Sequence, residues 1–554
     1  MRTVLAALFI LGAMPAAAAA QGMIVDGMNM PGMAHHHHDA PPPGEKLGHV
    51  SFPTSCSARS QTAIAHGVAL LHSFGYAKAQ MTFEAVEHDD PTCAMGHWGI
   101  AMTQYQEIWG QPDADALKLG GDEMAIARTF APQATPRERA YIDALSAFFD
   151  PKATTFAQRA DAYTQKMDAL RLAYPDDVEA AAFDALAILA STPAGDTSLD
   201  HEHRALAILQ PLFAKHPDHP GLAHYIIHTC DTPALAQDGL AAARVYARLA
   251  PDSPHALHMP AHIFARLGLW KDDIASNLAS ISASQKAEAR HEPGAAHQLH
   301  AKEFLIYAYL QTGQDALAKA LVDGMGALGD HMAAMPGMDD MKDDGHFFDN
   351  EVRAVYAMET HDWAAAAALK PGLGTPPYET FDIYWAQGAA AGHRHDGEAA
   401  ADAVAGFDLA LEALKTSPFA SDAPGLQIKR NEILGWKAIA EDRPDEALAA
   451  FRAAADQQDK LGQNEVDIPA REMLADALMM MRRPADALVE YKVALKLSPN
   501  RLNGLVGAAL AAAQAGNAAE ADGYYDAAMK QVPDTSPRYI EINHAFHFAL
   551  GGPA

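Results

Sequence analysis

Paired histidines recur in two segments of this chain, residues 217–228 and 251–262, which match at an offset of 34 residues. The first segment contains His224 and His228, and the second contains His258 and His262. Residues four apart lie one turn apart on the same face of a helix, so each segment offers two neighbouring imidazoles. Neutral imidazole is the commonest metal ligand in proteins. The spacing therefore predicts transition-metal binding.

Further candidate ligands lie close to the two pairs in the sequence. His255 shares a predicted helix face with the second pair, and His300 falls where the next repeat should begin. Asp231 follows the first pair by three residues, and we expect its carboxylate to bind the ion or to orient an imidazole. Pro260 lies inside the second pair, where it favours a kink or a late helix start. Whether the two pairs meet at one ion stays open.

Three interpretations of these histidines compete. In the first, stacked repeats bring the imidazoles onto a metal ion. In the second, they line a groove for an organic ligand or a peptide, as concave repeat surfaces do. In the third, they are buried spacers that satisfy hydrogen bonds inside the fold. The spacing and its repetition favour the metal.

Methionine accompanies histidine in two other segments, which we expect to capture metal as auxiliary sites. One is residues 21–46, predicted to be a disordered tail, which contains Met28, Met30, Met33, His35, His36, His37 and His38. The other is a predicted loop at 331–346, which contains Met332, Met335, Met338 and Met341. Thioethers with imidazoles suit Cu(I), so copper is the expected ion and zinc the alternative. The competing interpretation is a low-complexity linker.

The first 20 residues have the pattern of a secretory signal peptide. Arg2 supplies a positive charge, residues 4–14 are apolar, and small residues precede an expected cleavage site after Ala20. We therefore expect an exported protein, which would be periplasmic in a Gram-negative bacterium.

Export would place the three cysteines in an oxidising compartment. An oxidising environment favours a disulfide between Cys56 and Cys93, which flank one predicted helical hairpin. Cys230 would then be a free thiol, although other pairings remain open.

The charge and the motifs restrict the function classes. A formal net charge of −29 repels phosphates and argues against a nucleic-acid partner. No stretch after the signal peptide reaches the roughly 18 uncharged apolar residues of a membrane span. The common motifs of hydrolases and the phosphate-binding Walker loop are absent. Gly324-x-Gly326-x-x-Gly329 fits the dinucleotide fingerprint as a string, but it follows a predicted helix and not a strand, so we discard it. A metal-dependent enzyme of unknown substrate is therefore the third-ranked function.

The C-terminal third contains a second repeat of 34 residues. Its positions Ala487, Tyr491, Ala494 and Pro499 recur as Ala521, Tyr525, Ala528 and Pro533. Small residues let two helices approach, the ring fills the gap between them, and proline ends the second helix. This pattern resembles the tetratricopeptide-repeat family, over most of residues 60–535. The middle region also resembles exported, histidine-rich bacterial proteins of that family. The resemblance implies a superhelix of helical hairpins whose concave face binds partners or ligands.

We therefore predict an all-α, tetratricopeptide-like solenoid of helical hairpins. Its predicted parts are the signal peptide 1–20, the tail 21–46, a degenerate histidine-rich array 47–330, the loop 331–346 and a C-terminal array 347–554. The expected function is binding of transition metal, copper first, in metal handling or homeostasis. The alternative is a protein-interaction scaffold that holds a peptide or an envelope protein in its groove.

Overall fold

The structure is a computed structural model that describes residues 45–193, 195–292, 294, 296–335, 341–372, 374–417, 419–420 and 423–550. The regular elements in these ranges are helical, which confirms the predicted all-α class. The first helices are α1 (Ala58–His72), α2 (Tyr76–Asp89), α3 (Ala94–Tyr105), α4 (Ala114–Phe130), α5 (Pro136–Phe148), α6 (Phe156–Ala173), α7 (Val178–Ala190), α8 (Asp200–Lys215), α9 (Pro220–Thr229), α10 (Ala236–Leu249), α11 (Pro254–His258), α12 (Pro260–Arg266) and α13 (Trp270–Ala289).

The remaining helices complete the array. They are α14 (His297–Gln311), α15 (Asp315–Ala333), α16 (Met341–Glu359), α17 (Trp363–Ala368), α18 (Phe381–His393), α19 (Gly397–Leu414), α20 (Ala423–Ala440), α21 (Pro444–Leu461), α22 (Ala470–Met480), α23 (Pro484–Leu497), α24 (Leu502–Gln514), α25 (Ala518–Met529) and α26 (Pro537–Ala549). Successive helices pack as hairpins that stack on one another, so the predicted solenoid of helical hairpins is confirmed.

Aromatic rings that pack against glycines set the distance between neighbouring helices of the C-terminal repeats. Phe451 and Tyr491 are both buried, in equivalent positions of α21 and α23. A Cβ added to Gly435 would lie 2.7 Å from the Phe451 ring, and one added to Gly507 would clash with Tyr491. The ring therefore occupies the space that a side chain on the facing helix would need, as the small-and-aromatic pattern predicts.

The buried apolar residues form two large cores that meet at α12. One core runs from Leu47 to Phe264 and the other from Ala261 to Phe546. Ile263 and Phe264 pack into the first core, whereas Ala261 and Ala265 pack into the second. The histidine-bearing helices thus lie at the junction of the two cores.

At both ends of the predicted loop 331–346 the structure has helix instead. Helix α15 continues to Ala333, and α16 begins at Met341. Met332 is fully buried in the second core, and Met335 packs against it. Apolar burial explains Met332 better than metal capture does, because its thioether lies among hydrophobic neighbours. Met338 lies outside the described residues, as does the side chain of Met341.

Two other predicted segments also lie outside the described residues. These are the signal peptide and the predicted metal-capturing residues of the tail, Met28, Met30, Met33 and His35–His38. Within the described chain, none of the helices combines the length and apolarity needed to cross a bilayer. Cys56 and Cys93 are joined by a disulfide, and Cys230 is a buried free thiol.

The C-terminal repeats fold back against the middle of the chain. Trp270 donates from Nε1 to the Asn500 carbonyl at 2.8 Å. Gly268 has a φ of +63°, and a Cβ there would clash with the Pro499 carbonyl, so this close approach requires glycine. Ser536 donates to the Gly313 carbonyl at 2.5 Å. These contacts connect helices that are more than 200 residues apart in sequence.

Arg501 is the buried charge at this contact. Its guanidinium donates to Glu359 Oε1 at 2.7 Å and to both oxygens of Glu472 at 2.6 and 2.9 Å. It also donates to the hydroxyl of Tyr307 on α14. The arginine is 1% exposed, so it is stabilised only while α14, α16 and α22 surround it.

We expect Arg501→Met to lower the free energy of unfolding by about 3–5 kcal/mol, because two buried carboxylates lose their counter-charge. Urea unfolding followed by circular dichroism measures the change. The matched control is Arg483→Met, whose exposed ion pair with Asp486 should contribute less than about 1 kcal/mol. Equal effects of the two substitutions would contradict the role given to Arg501.

Candidate metal centre

Helix caps fix the faces on which the histidines lie. Pro220 begins α9 and Pro254 begins α11. The His219 imidazole accepts a hydrogen bond from the backbone N–H of Leu222 at 3.2 Å. The Ser253 hydroxyl caps α11 in the same way. These caps set where each helix starts and therefore which residues point toward the neighbouring repeat.

We call the group His224, His228 and His255 site one. His224 Nε2 lies 3.0 Å from His228 Nε2 and 2.9 Å from His255 Nε2. His224 and His228 lie one turn apart on α9, whereas His255 belongs to α11 in the following repeat. Site one therefore forms only when the two repeats stack.

The tautomer of His224 is fixed by the backbone. Its Nδ1 lies 2.7 Å from the carbonyl oxygen of His72, and a carbonyl can only accept, so Nδ1 carries the proton. The one lone pair, on Nε2, faces two imidazole nitrogens and cannot accept well from both. A metal ion among the three nitrogens would resolve this conflict. Tetrahedral coordination at about 2.1 Å places nitrogens roughly 3.4 Å apart, which requires only a small expansion.

Aromatic neighbours restrict the rings of site one. Phe74 stacks on His228 and His255 with ring centroids 5.2 and 5.6 Å away. Tyr246 stacks on His224 at 4.9 Å. Phe74 has a φ of +53°, an uncommon conformation for a residue with a side chain. The site is thus held on its apolar side by packing.

We call the group His258, His262 and His300 site two. His258 Nε2 and His262 Nε2 are 3.0 Å apart. The rings of His258 and His300 have centroids 4.6 Å apart, and the ligand nitrogens of all three residues lie within 4.8 Å of one another. His300 belongs to α14, so site two is again completed by the following repeat.

Two outer residues orient the imidazoles of site two. His258 Nδ1 lies 2.7 Å from Asn277 Oδ1. The Asn277 amide nitrogen donates to Asp273 at 2.7 Å, which identifies the oxygen as the atom that faces His258. His300 Nδ1 lies 2.8 Å from Glu303 Oε2. Acceptors at Nδ1 leave Nε2 for an ion, as in histidines that bind metals.

His262 is held by two carboxylates. Its Nδ1 lies 2.9 Å from both Asp231 Oδ2 and Glu465 Oε1, and Arg266 donates to Asp231 Oδ1 at 3.0 Å. Burial opposes a charge here, but Asp231 and Glu465 raise the pKa of His262 to about 10. A metal ion must therefore displace a proton from His262 at neutral pH.

The structure places the predicted ligands in two sites rather than one. Six of the seven are the histidines of sites one and two: His224, His228, His255, His258, His262 and His300. The seventh, Asp231, lies behind His262 and orients it. A helix break does occur beside Pro260, but Met259 keeps helical dihedrals, so the spacing of the second pair survives.

Sequence reasoning missed the outer residues Asn277 and Glu465. Asn277 is 19 residues from His258, on α13, and Glu465 is 203 residues from His262. Neither Asn277 nor Glu465 belongs to a sequence motif that includes its histidine. Only the stacking of helices and the return of the C-terminal repeats bring them to the site.

A buried carboxylate supports site one from behind. Glu179 Oε2 accepts from His72 Nε2 at 2.6 Å and lies 3.2 Å from His219 Nε2. The Tyr225 hydroxyl lies 2.8 Å from His72 Nδ1. Burial opposes ionisation, but the hydrogen bonds of His219 and His72 outweigh it and hold the pKa of Glu179 below 4.5, its ordinary value. This network fixes His72, whose carbonyl orients His224.

Comparisons with known proteins identify no family for this chain. No family model matches it, and no curated protein matches it. Among solved structures, human IFIT1 with m7Gppp-AAAA has 12% identity and a TM-score of 0.35, and the match covers 79% of this chain and 90% of IFIT1. The P58(IPK) TPR domain has 12% identity and a TM-score of 0.21, over 83% of this chain and 99% of that domain. Likeness at this level says nothing about what this chain binds.

We expect Glu179→Gln to lower the free energy of unfolding at pH 7 by about 1.5–3 kcal/mol, because a hydrogen-bonded buried charge is lost. A carboxyl whose pKa is lower in the folded state stabilises the fold above its unfolded pKa and loses that effect as the pH falls. The difference from the parent should therefore shrink below about pH 4.5. Urea unfolding from pH 7 to pH 3 measures it, with the exposed Glu398→Gln as control. A difference that does not vary with pH would contradict this account.

Proposed function

We propose that this protein is an exported helical-repeat protein that binds transition-metal ions, copper first, through sites one and two. The observation that carries the proposal is the direction of the imidazoles. In both sites the Nε2 atoms turn toward a common point, and in site two all three Nδ1 atoms lie against oxygen acceptors. Histidines that bind metal in proteins are oriented in this way by an outer shell of acceptors.

The choice of copper rests on the donor set and on the flanking segments. Imidazoles suit zinc, copper, iron and nickel alike, so the sites alone leave zinc as the alternative. Methionines and histidines in the tail 21–46 would add soft donors that favour Cu(I). The predicted signal peptide supports export. An exported protein would bind copper outside the cytosol. A role in metal handling or homeostasis follows from these premises.

A protein-interaction scaffold remains the second candidate function. The observation that favours it is the solenoid of helical hairpins, an architecture whose concave surface holds peptides in many proteins. The histidines give no specific support to this reading, because the close contacts of their ring nitrogens are with one another.

We expect two bound metal ions per chain when the protein is purified without chelators and then dialysed. To exclude the tail, the parent carries serine in place of His35–His38. His224→Ala should remove the ion of site one and His258→Ala the ion of site two, each lowering the stoichiometry to one. Inductively coupled plasma mass spectrometry measures the metal, and the exposed His544→Ala serves as control. The metal retained from cells identifies the ion better than affinity does, since nearly every such site prefers copper(II) in vitro.

Absence of metal in the parent, with none taken up on titration, would contradict the proposal and leave the scaffold. Two ions retained in both single variants would place binding elsewhere in the chain. Circular dichroism of each variant shows whether loss of metal reflects loss of fold.

We expect Asn277→Leu to weaken binding at site two by about 10–100-fold, because His258 loses the acceptor that orients it. The measurement is a copper(II) titration against a competing chelator in the His224→Ala background, which reports site two alone. Asn543→Leu, which removes a partly buried amide far from the site, is the control. An affinity equal to that of the control would show that Asn277 has no orienting role.

A further inference from the structure

Sites one and two border the same pocket. His255 of site one and His258 of site two lie three residues apart on the five-residue helix α11. The pocket wall includes both of them, together with His228 from site one and His262 and His300 from site two. Residues three apart on a helix have Cβ atoms about 5–6 Å from each other. Two ions bound here would therefore be neighbours and not separate structural ions.

Each site also supplies fewer ligands than a closed metal site requires. Three imidazoles leave at least one coordination position for an added ligand, whereas structural zinc sites are closed by four protein ligands. Since five of the six histidines line the pocket, a ligand that enters the pocket can reach both ions.

The far wall of the pocket contains a carboxyl group that faces this space. Glu351, on α16, lies in the wall with Lys429 and Asp467. One side of its carboxyl is hydrogen-bonded to Glu303, the residue that holds His300. Its Oε2 atom is shielded from solvent and has no hydrogen-bond partner among the described residues. Burial and the neighbouring Glu303 carboxyl raise the pKa of Glu351 well above its ordinary value, so this carboxyl can carry a proton. Buried polar atoms normally have a partner, and the unpartnered oxygen therefore points to a ligand in the pocket that accepts a hydrogen bond.

We propose that sites one and two form one bimetallic centre, in which a small anion bridges the two ions and accepts a hydrogen bond from the Glu351 carboxyl. This inference rests on the proposed function, because it requires both sites to bind metal. In known two-metal sites the ions lie about 3.5–4 Å apart, and one small ligand spans them. The shared helix α11 places one ligand of each site within a single turn, which brings the two ions close together.

The test uses Cu(II) as a probe, whatever the native ion, because two neighbouring Cu(II) ions couple magnetically. The full chain with serine at positions 35–38 is loaded with two equivalents of Cu(II), and its electron paramagnetic resonance signal is integrated against total copper. We expect the spin count to be at least about twofold below the copper count, since ions at two-metal distances couple strongly. Azide, a small bridging anion, should increase the loss of signal.

Single-site variants provide the control. His228→Gln and His262→Gln, both only partly buried, should each hold one Cu(II) whose spin count equals the copper count. If these variants fold but retain no copper, His224→Gln and His300→Gln serve instead.

The outcomes separate the two proposals. Two bound coppers with two full spins, with and without azide, would overturn the bimetallic centre and leave metal binding in place. No bound copper would overturn the proposed function itself. Glu351→Leu should lower the affinity of the copper-loaded protein for azide about tenfold, the effect of one lost hydrogen bond. An unchanged azide affinity would remove Glu351 from the centre.

Discussion

The contact on which site two depends is a buried cluster of ion pairs between the middle of the array and the turn after α21. Arg266 and His262 are the cationic partners on α12, and Asp231 and Glu465 are the anionic ones. Glu465 comes from the turn between α21 and α22, so it reaches His262 only because the superhelix curls back. Arg266 also donates to the carbonyl of Gln463 in the same turn. A buried carboxylate without its cation is costly, which makes the return of the C-terminal repeats and the orientation of His262 mutually dependent.

Repetition explains why there are two sites of the same design. In each, a His-x-x-x-His pair on one repeat is completed by a histidine at the start of a helix in the next. A single repeat would hold two imidazoles, which bind a metal weakly, and stacking adds the third without any new motif. The two sites differ in the groups that orient their imidazoles. A backbone carbonyl orients His224, whereas side chains from α13, α14 and the distant turn orient site two. Duplication thus accounts for the ligands, and the surrounding fold accounts for their orientation.

The sequence predicted the features that depend on local spacing. Spacings of four and 34 residues predict the helices, the hairpins and the two histidine pairs. These spacings do not depend on how the helices pack. Met332 was misinterpreted because a methionine among aspartate, proline and glycine looks exposed, although its helix turns it into the core. The division into two sites could not be predicted, since it depends on which neighbouring helix each histidine of α11 meets, α9 for His255 and α14 for His258. Asn277 and Glu465 could not be predicted either, because helix packing brings them to their histidines and no regular spacing in the sequence relates them.

Hydrogen-bond counting bears on the choice between metal ligands and buried spacers. A histidine that only satisfies hydrogen bonds needs a separate partner for each ring nitrogen. In site one a single lone pair on His224 Nε2 lies within 3.0 Å of two imidazole nitrogens, which is one partner more than it can use. Site two shows no such surplus, because a protonated His262 donates from Nδ1 to the two carboxylates and from Nε2 to His258. The crowding in site one therefore wastes hydrogen-bonding capacity in a metal-free interior, and the same arrangement of nitrogens is what a small cation requires. A groove for peptides would instead direct these nitrogens outward, toward the ligand.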